Sequence, residues 1–129
     1  MNNKASKNLD YLLAAKSNFL CLTLLGNLTE ENLQTLDLCI LEMKAFTANY
    51  CVVQFHDVTE LHRSVIPRLI LLQERMREMF GTIRICSLKP AFRDWLDQEK
   101  AVRPKEVISN MLEAWTEYSS KKYTVDNIG

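Results

Sequence analysis

The sequence predicts a single α/β domain whose sheet is mostly parallel after an opening hairpin. Two patterns carry that reading. Compact apolar runs alternate with longer segments of helical period, and the first two runs are separated only by Lys16-Ser17-Asn18. Tyr11 to Ala15 and Phe19 to Leu25 are thus the strands of the hairpin. Thr29 then caps a helix whose first turn holds Glu30 and Glu31, carboxylates suited to the positive helix end, and Leu33, Leu36, Ile40 and Met43 follow one face. This helix is expected to end near Phe46. Tyr50 to Phe55, rich in β-branched and aromatic residues, is a strand covered on both faces. After a short loop, a second helix runs from about Ser64 to Phe80, with Pro67 in its first turn, where a missing N–H costs little. Ile66, Leu69, Ile70, Gln73, Met76 and Phe80 form its core stripe; Arg68, Glu74, Arg75, Arg77 and Glu78 form its outer surface; Gly81 stops it. Thr82 to Cys86 is another strand, and Pro90 opens a short helix carrying Phe92, Trp95 and Leu96, with Trp95 read as a packing anchor. Ala101-Val102 is a candidate edge strand. Pro104 starts a last helix with Val107, Ile108, Met111, Leu112 and the second anchor, Trp115, on its apolar side. Residues 1–9 and 119–129 are expected to be polar tails, which leaves 10–118 for the domain.

Composition narrows the function classes. With 47% hydrophobic and 25% charged residues, the 129-residue chain has the make-up of a globular domain large enough for its own core. Its 16 basic and 16 acidic side chains cancel, which removes the electrostatic basis for binding nucleic acid or an anionic membrane. No run approaches the roughly 20 apolar residues of a membrane span, and the N-terminus lacks the apolar segment of a secretory signal, so a cytoplasmic location and no membrane insertion are expected. Cys21, Cys39, Cys51 and Cys86 are widely spaced and read as reduced, small hydrophobes. The glycines, Gly26, Gly81 and Gly129, make no phosphate loop, and no cofactor is expected.

The stretch Cys51 to Ile66 is the most informative part of the chain. It reads as a buried strand that turns into a helix at His62-Arg63-Ser64, so a cation stands near a helix N-terminus where the macrodipole favours an anion. Local misfits of this kind concentrate at functional sites. Arg63 is suited either to an anionic group on a partner or to a local pair with Glu60 or Asp57. His62 is either a titrating group or an ordinary loop residue. His56, Asp57, Glu60 and His62 have metal-compatible chemistry without a ligand spacing, and Ser64, His62 and Asp57 lie too close along one segment to face each other as a catalytic set. Neither a metal site nor an enzyme is therefore expected.

The order of these elements, with Leu20-Cys-Leu-Thr-Leu-Leu-Gly-Asn-Leu28 before the first helix and Cys86-Ser-Leu-Lys-Pro90 opening the third, resembles the STAS domain family over about residues 10 to 118. That family includes anti-sigma factor antagonists, cytoplasmic domains of sulfate transporters and small subunits of lipid-handling ABC transporters. The resemblance implies a four- to five-stranded mixed sheet with about four helices, mainly on one face. In the antagonists an Asp-Ser-Ser-Gly-Leu loop follows the third strand, and its first serine is phosphorylated by a partner kinase. Placing Val58 to Ile66 on that pattern puts His62 at the aspartate, Arg63 at the acceptor serine, Ser64 at the second serine and Val65 at the glycine. The resemblance thus implies a non-enzymatic interaction module, with His62, Arg63, Ser64, Arg68 and Arg75 as the partner-binding set and no phosphoacceptor at 63. Ser64 is a displaced acceptor or a helix cap, and Thr59 is a further hydroxyl open to modification. The implied partner is an anti-sigma factor or related regulatory kinase; the alternatives are a transporter ATPase, with the chain as a structural subunit, and a small ligand to be sensed.

Overall fold

The computed structural model describes residues 8–120, and among them the chain forms one five-stranded sheet in the order β1-β2-β3-β4-β5. The strands are β1 (Leu9–Lys16), β2 (Phe19–Leu28), β3 (Tyr50–Leu61), β4 (Thr82–Cys86) and β5 (Val107–Ile108). The helices are α1 (Leu33–Met43), α2 (Ile66–Phe80), α3 (Pro90–Gln98) and α4 (Met111–Ser120). β1 and β2 are antiparallel and every later pairing is parallel, as the hairpin and the strand-helix alternation require.

Side-chain alternation divides the sheet into two faces. Leu20, Leu22 and Leu24 of β2, with Cys51, Val53 and Phe55 of β3 and Ile83 and Ile85 of β4, meet α1, α2 and α3 in the main core. The intervening Phe19, Tyr50, Val52 and Cys86 point the other way and pack on Ala114 and Tyr118 of α4. Three helices therefore share one face and the fourth covers the other. Phe19 and Tyr50 stack at 5.4 Å, and Tyr118 lies edge-on to both. Burial pushes the thiol pKa of Cys39 up to about 12 and that of Cys86 up to about 11, and none of the four cysteines is disulfide-bonded.

Several boundaries differ from the sequence reading, each for a local reason. The expected tails lie outside the described residues, except that β1 starts at Leu9 and α4 continues to Ser120. Thr29 does not cap α1 with its side chain; a 3-10 turn over Glu30–Asn32 intervenes, and the Asn32 amide donates to the Asn27 carbonyl (2.8 Å) and to Thr29 Oγ1 (3.1 Å). α1 ends at Met43, with turn hydrogen bonds continuing to Phe46. Ala101-Val102 is not a strand. It is a buried filler beyond α3, where Lys100 at φ 58° makes the left-handed C-terminal turn and Ala101 N–H donates to Leu96 O at 2.8 Å. The edge strand is Val107–Ile108, and the last helix starts only at Met111, because Asn110 Oδ1 caps Glu113 N–H (2.9 Å) while Glu113 reaches back to Ser109 N–H (2.8 Å). This leaves Leu112 73% exposed and off the core, while Trp115, 39% exposed, still packs its ring on Phe19 (5.1 Å between centres) and Tyr118 (5.4 Å). Arg77 is not on the charged exterior: it grips the buried Glu106 with two hydrogen bonds of 2.8 and 2.9 Å.

Candidate functional site

The corner between β3 and α2 is built by a longer strand than the sequence suggested. His56 to Leu61 continue β3 in register with β2 as far as the Leu28–Leu61 pair, through two register shifts near Gly26, so the expected loop shrinks to His62. His62 N–H donates to Leu28 O (2.9 Å), and its carbonyl accepts from Val65 N–H (3.0 Å), which starts a 3-10 turn over Arg63–Val65 that feeds directly into α2. Pro67 sits in the first turn of the helix, as its missing donor requires. No side chain caps either turn, so Ser64 is not a cap; it stands exposed in the middle of the 3-10 turn.

Arg63 does not pair with Glu60 or Asp57. Its Nη2 donates to Gln98 Oε1 (3.3 Å) and Glu99 Oε2 (3.2 Å), and its guanidinium lies 5.9 Å from the ring centre of Trp95. All three partners belong to the last turn and C-cap of α3. The cation that looked misplaced at the start of α2 is thus placed at the negative end of α3, a helix with no basic residue in its own last turn. Arg68 is also engaged, donating to Asp37 Oδ1 of α1 at 2.6 Å. Arg75 is exposed but sits nine residues into α2, about 13 Å along its axis from the corner. The five residues expected to bind a partner therefore divide: His62, Arg63 and Ser64 define the corner, Arg68 flanks it, and Arg75 lies two turns beyond Arg68 on the same face of α2.

The corner is also not simply positive. Beside His62 opens a groove of about 250 Å³ lined by Thr29, Glu30, Glu31, Glu60 and His62, and His62 Nε2 stands 3.8 Å from Glu60 Oε1. With Arg63 and Arg68 each bound to a carboxylate, the carboxylates of Glu30, Glu31 and Glu60 outnumber the cations on that side. Thr59 donates its hydroxyl to Asn27 Oδ1. His56 is exposed and contacts Asp57 at 3.1 Å, and among the described residues no group of three or more His, Cys, Asp or Glu side chains converges on a metal-sized site. Trp95, Gln98 and Glu99 were not legible as site residues; Trp95 carried only the signal of an apolar position on an amphipathic helix. No helix among the described residues is long and apolar enough to cross a membrane.

No protein-family model matches the chain and no curated protein matches it. Solved structures do. An anti-sigma factor antagonist from Mycobacterium paratuberculosis is 14% identical, with a TM-score of 0.72 over 84% of this chain and 92% of that one. The anti-sigma factor antagonist SpoIIAA in its unphosphorylated form is 9% identical, with a TM-score of 0.66 over 92% of this chain and 100% of that one. SLC26A9 is 11% identical, with a TM-score of 0.65 over 81% of this chain but only 20% of its own. At these identities the likeness establishes the fold. The chain has the STAS-like α/β architecture of the anti-sigma factor antagonists.

Proposed function

We propose that this chain is a non-enzymatic STAS-type interaction module that docks a cytoplasmic regulatory protein through the His62-Arg63-Ser64 corner, without phosphorylation at position 63. In the antagonist reading that partner is an anti-sigma factor or a related regulatory kinase. The observation that carries the reading is the state of Arg63. At the position that the resemblance equates with the phosphoacceptor there is no hydroxyl, and the guanidinium is engaged by Glu99, Gln98 and Trp95. The guanidinium biases the corner toward that arrangement without a covalent signal, and its adjoining groove offers Glu30, Glu31 and Glu60 to basic groups on a partner. Affinity purification from native extract tests this with wild type and Arg63→Glu. The substitution breaks an ion pair whose two side chains are each about half exposed, which is worth about 0–1 kcal/mol, so the protein still folds. The expected outcome is about a tenfold change in recovery of the partner bound by wild type, because the reversal releases Glu99 and adds a carboxylate to the corner. Equal recovery removes the corner as the contact, and phosphate found on Ser64 by mass spectrometry removes the constitutive half of the reading.

A second reading rests on SLC26A9, in which the matched fold is a fifth of a longer chain. A module of this fold can serve as one part of a membrane transport assembly, and here it would be a separate subunit beside a transporter ATPase. Copurification with a detergent-solubilised ATPase supports it, and absence from every such complex rejects it.

A further inference from the structure

We propose that the free edge of β1 pairs with β1 of a second copy of this chain, antiparallel and centred on Leu13, so that one sheet runs across a two-fold dimer. β1 lies at one end of the strand order and, among the described residues, its backbone pairs with no strand but β2. Exposed edges are ordinarily blunted by shortness, charge, proline or a bulge. The opposite edge, β5, is two residues long and is protected by its shortness. β1 is guarded only by the charges of Asp10 and Lys16 near its ends: it has eight residues, no proline, pairs with β2 without a register shift, and carries no charge between those two.

The hairpin decides which backbone groups are on offer. Its two-residue loop, Ser17-Asn18, closes on the Lys16–Phe19 pair, and such loops close on a hydrogen-bonded pair. The backbone groups of Asp10, Leu12, Ala14 and Lys16 are therefore spent on β2, and those of Leu9, Tyr11, Leu13 and Ala15 point outward. Antiparallel self-pairing must set outward residues against outward residues. Centring on Leu13 does so: Leu13 faces the partner's Leu13, and Tyr11 faces the partner's Ala15.

The same register sets Asp10 opposite the partner's Lys16, twice by symmetry, with Leu12 opposite the partner's Ala14 between them. Sliding by two residues in either direction leaves Asp10 opposite the partner's Ala14 or Lys16 opposite the partner's Leu12, so charge complementarity selects the register. Apolar surface continues beyond the edge. Leu12 is 61% exposed, and the part-exposed Trp115 ring lies 5.7 Å from Lys16 Nζ with the exposed Leu112 in the preceding turn of α4.

Sedimentation equilibrium on the full chain tests the proposal. Wild type is expected to dimerise reversibly. Asp10→Lys and Lys16→Asp each create two like-charge cross-strand pairs and are expected to weaken the dimer about tenfold. Combining both substitutions reverses the pairs and is expected to restore the wild-type constant. Both positions are exposed, so circular dichroism of each variant should match wild type. A wild-type monomer at every concentration, a dimer indifferent to the single reversals, or a combined variant that fails to recover would each overturn the proposal.

Discussion

Gly26 shows how closely one residue can be fixed. It stands at φ 108° beside the β2 register shifts, and a Cβ placed there would lie 2.2 Å from the Asn8 carbonyl oxygen. Asn27 N–H donates to that same oxygen at 3.0 Å, so the backbone cannot retreat without losing the bond. Gly26→Ala should lower the unfolding free energy by about 2 kcal/mol or more, read from the urea midpoint at unchanged slope. Glu106 makes a pH prediction. Burial pushes its carboxyl up, but the Arg77 hydrogen bonds, the Arg103 N–H and the two nearby cations outweigh that and hold its pKa below the usual carboxylate value. A group whose folded pKa is depressed contributes stability above its unfolded pKa, about 4.3, and loses it as pH falls through the folded value. Urea stability should therefore decline below about pH 4, and Glu106→Gln should flatten part of that decline while costing about 3 kcal/mol at neutral pH. Nothing in the sequence announced this pair: Arg77 and Glu106 are 29 positions apart, and an arginine on an amphipathic helix reads as solvated.

Elements were legible where one period ran uninterrupted and illegible where short-range caps decided the outcome. β4 and the extents of α2 and α3 follow from their apolar spacing and from Pro67, Gly81 and Pro90. Pro104 signals a helix start in the sequence, but the Asn110 and Glu113 capping pair, which needs no proline, begins the helix at Met111. Besides the apolar packing of Ala114 and Tyr118, α4 is tied to the sheet by Glu117, which accepts two hydrogen bonds from Arg84 (2.8 and 2.7 Å) and one from Tyr50 (2.7 Å). Glu117→Ala should leave Arg84 largely buried without this carboxylate, cost about 3 kcal/mol and raise amide exchange across 111–120 before the central strands open. Exchange that rises uniformly through the sheet would show instead that α4 and the sheet open as one unit.

For the molecule as a whole, the order of strands and helices was readable because each buried run must find a covered face, and alternation with helices leaves few ways to do so. Site charge was not readable, because Arg63 meets its partners 35 and 36 positions away and Arg68 its partner 31 positions away. A sequence shows which charges exist but not which cancel. The Arg63 contacts also tie two elements together, since one side chain in the turn that feeds α2 meets the end of α3. Suppose a single codon change installed serine at 63. Its side chain would be too short to reach Glu99, Gln98 or Trp95, so the C-terminal end of α3 would lose its cation, and a phosphate added at 63 would bring a further anion to the side of the corner that Glu99 already occupies. A phosphate at this corner would therefore call for changes at the end of α3 as well as at 63, because one side chain couples the charges of the two elements.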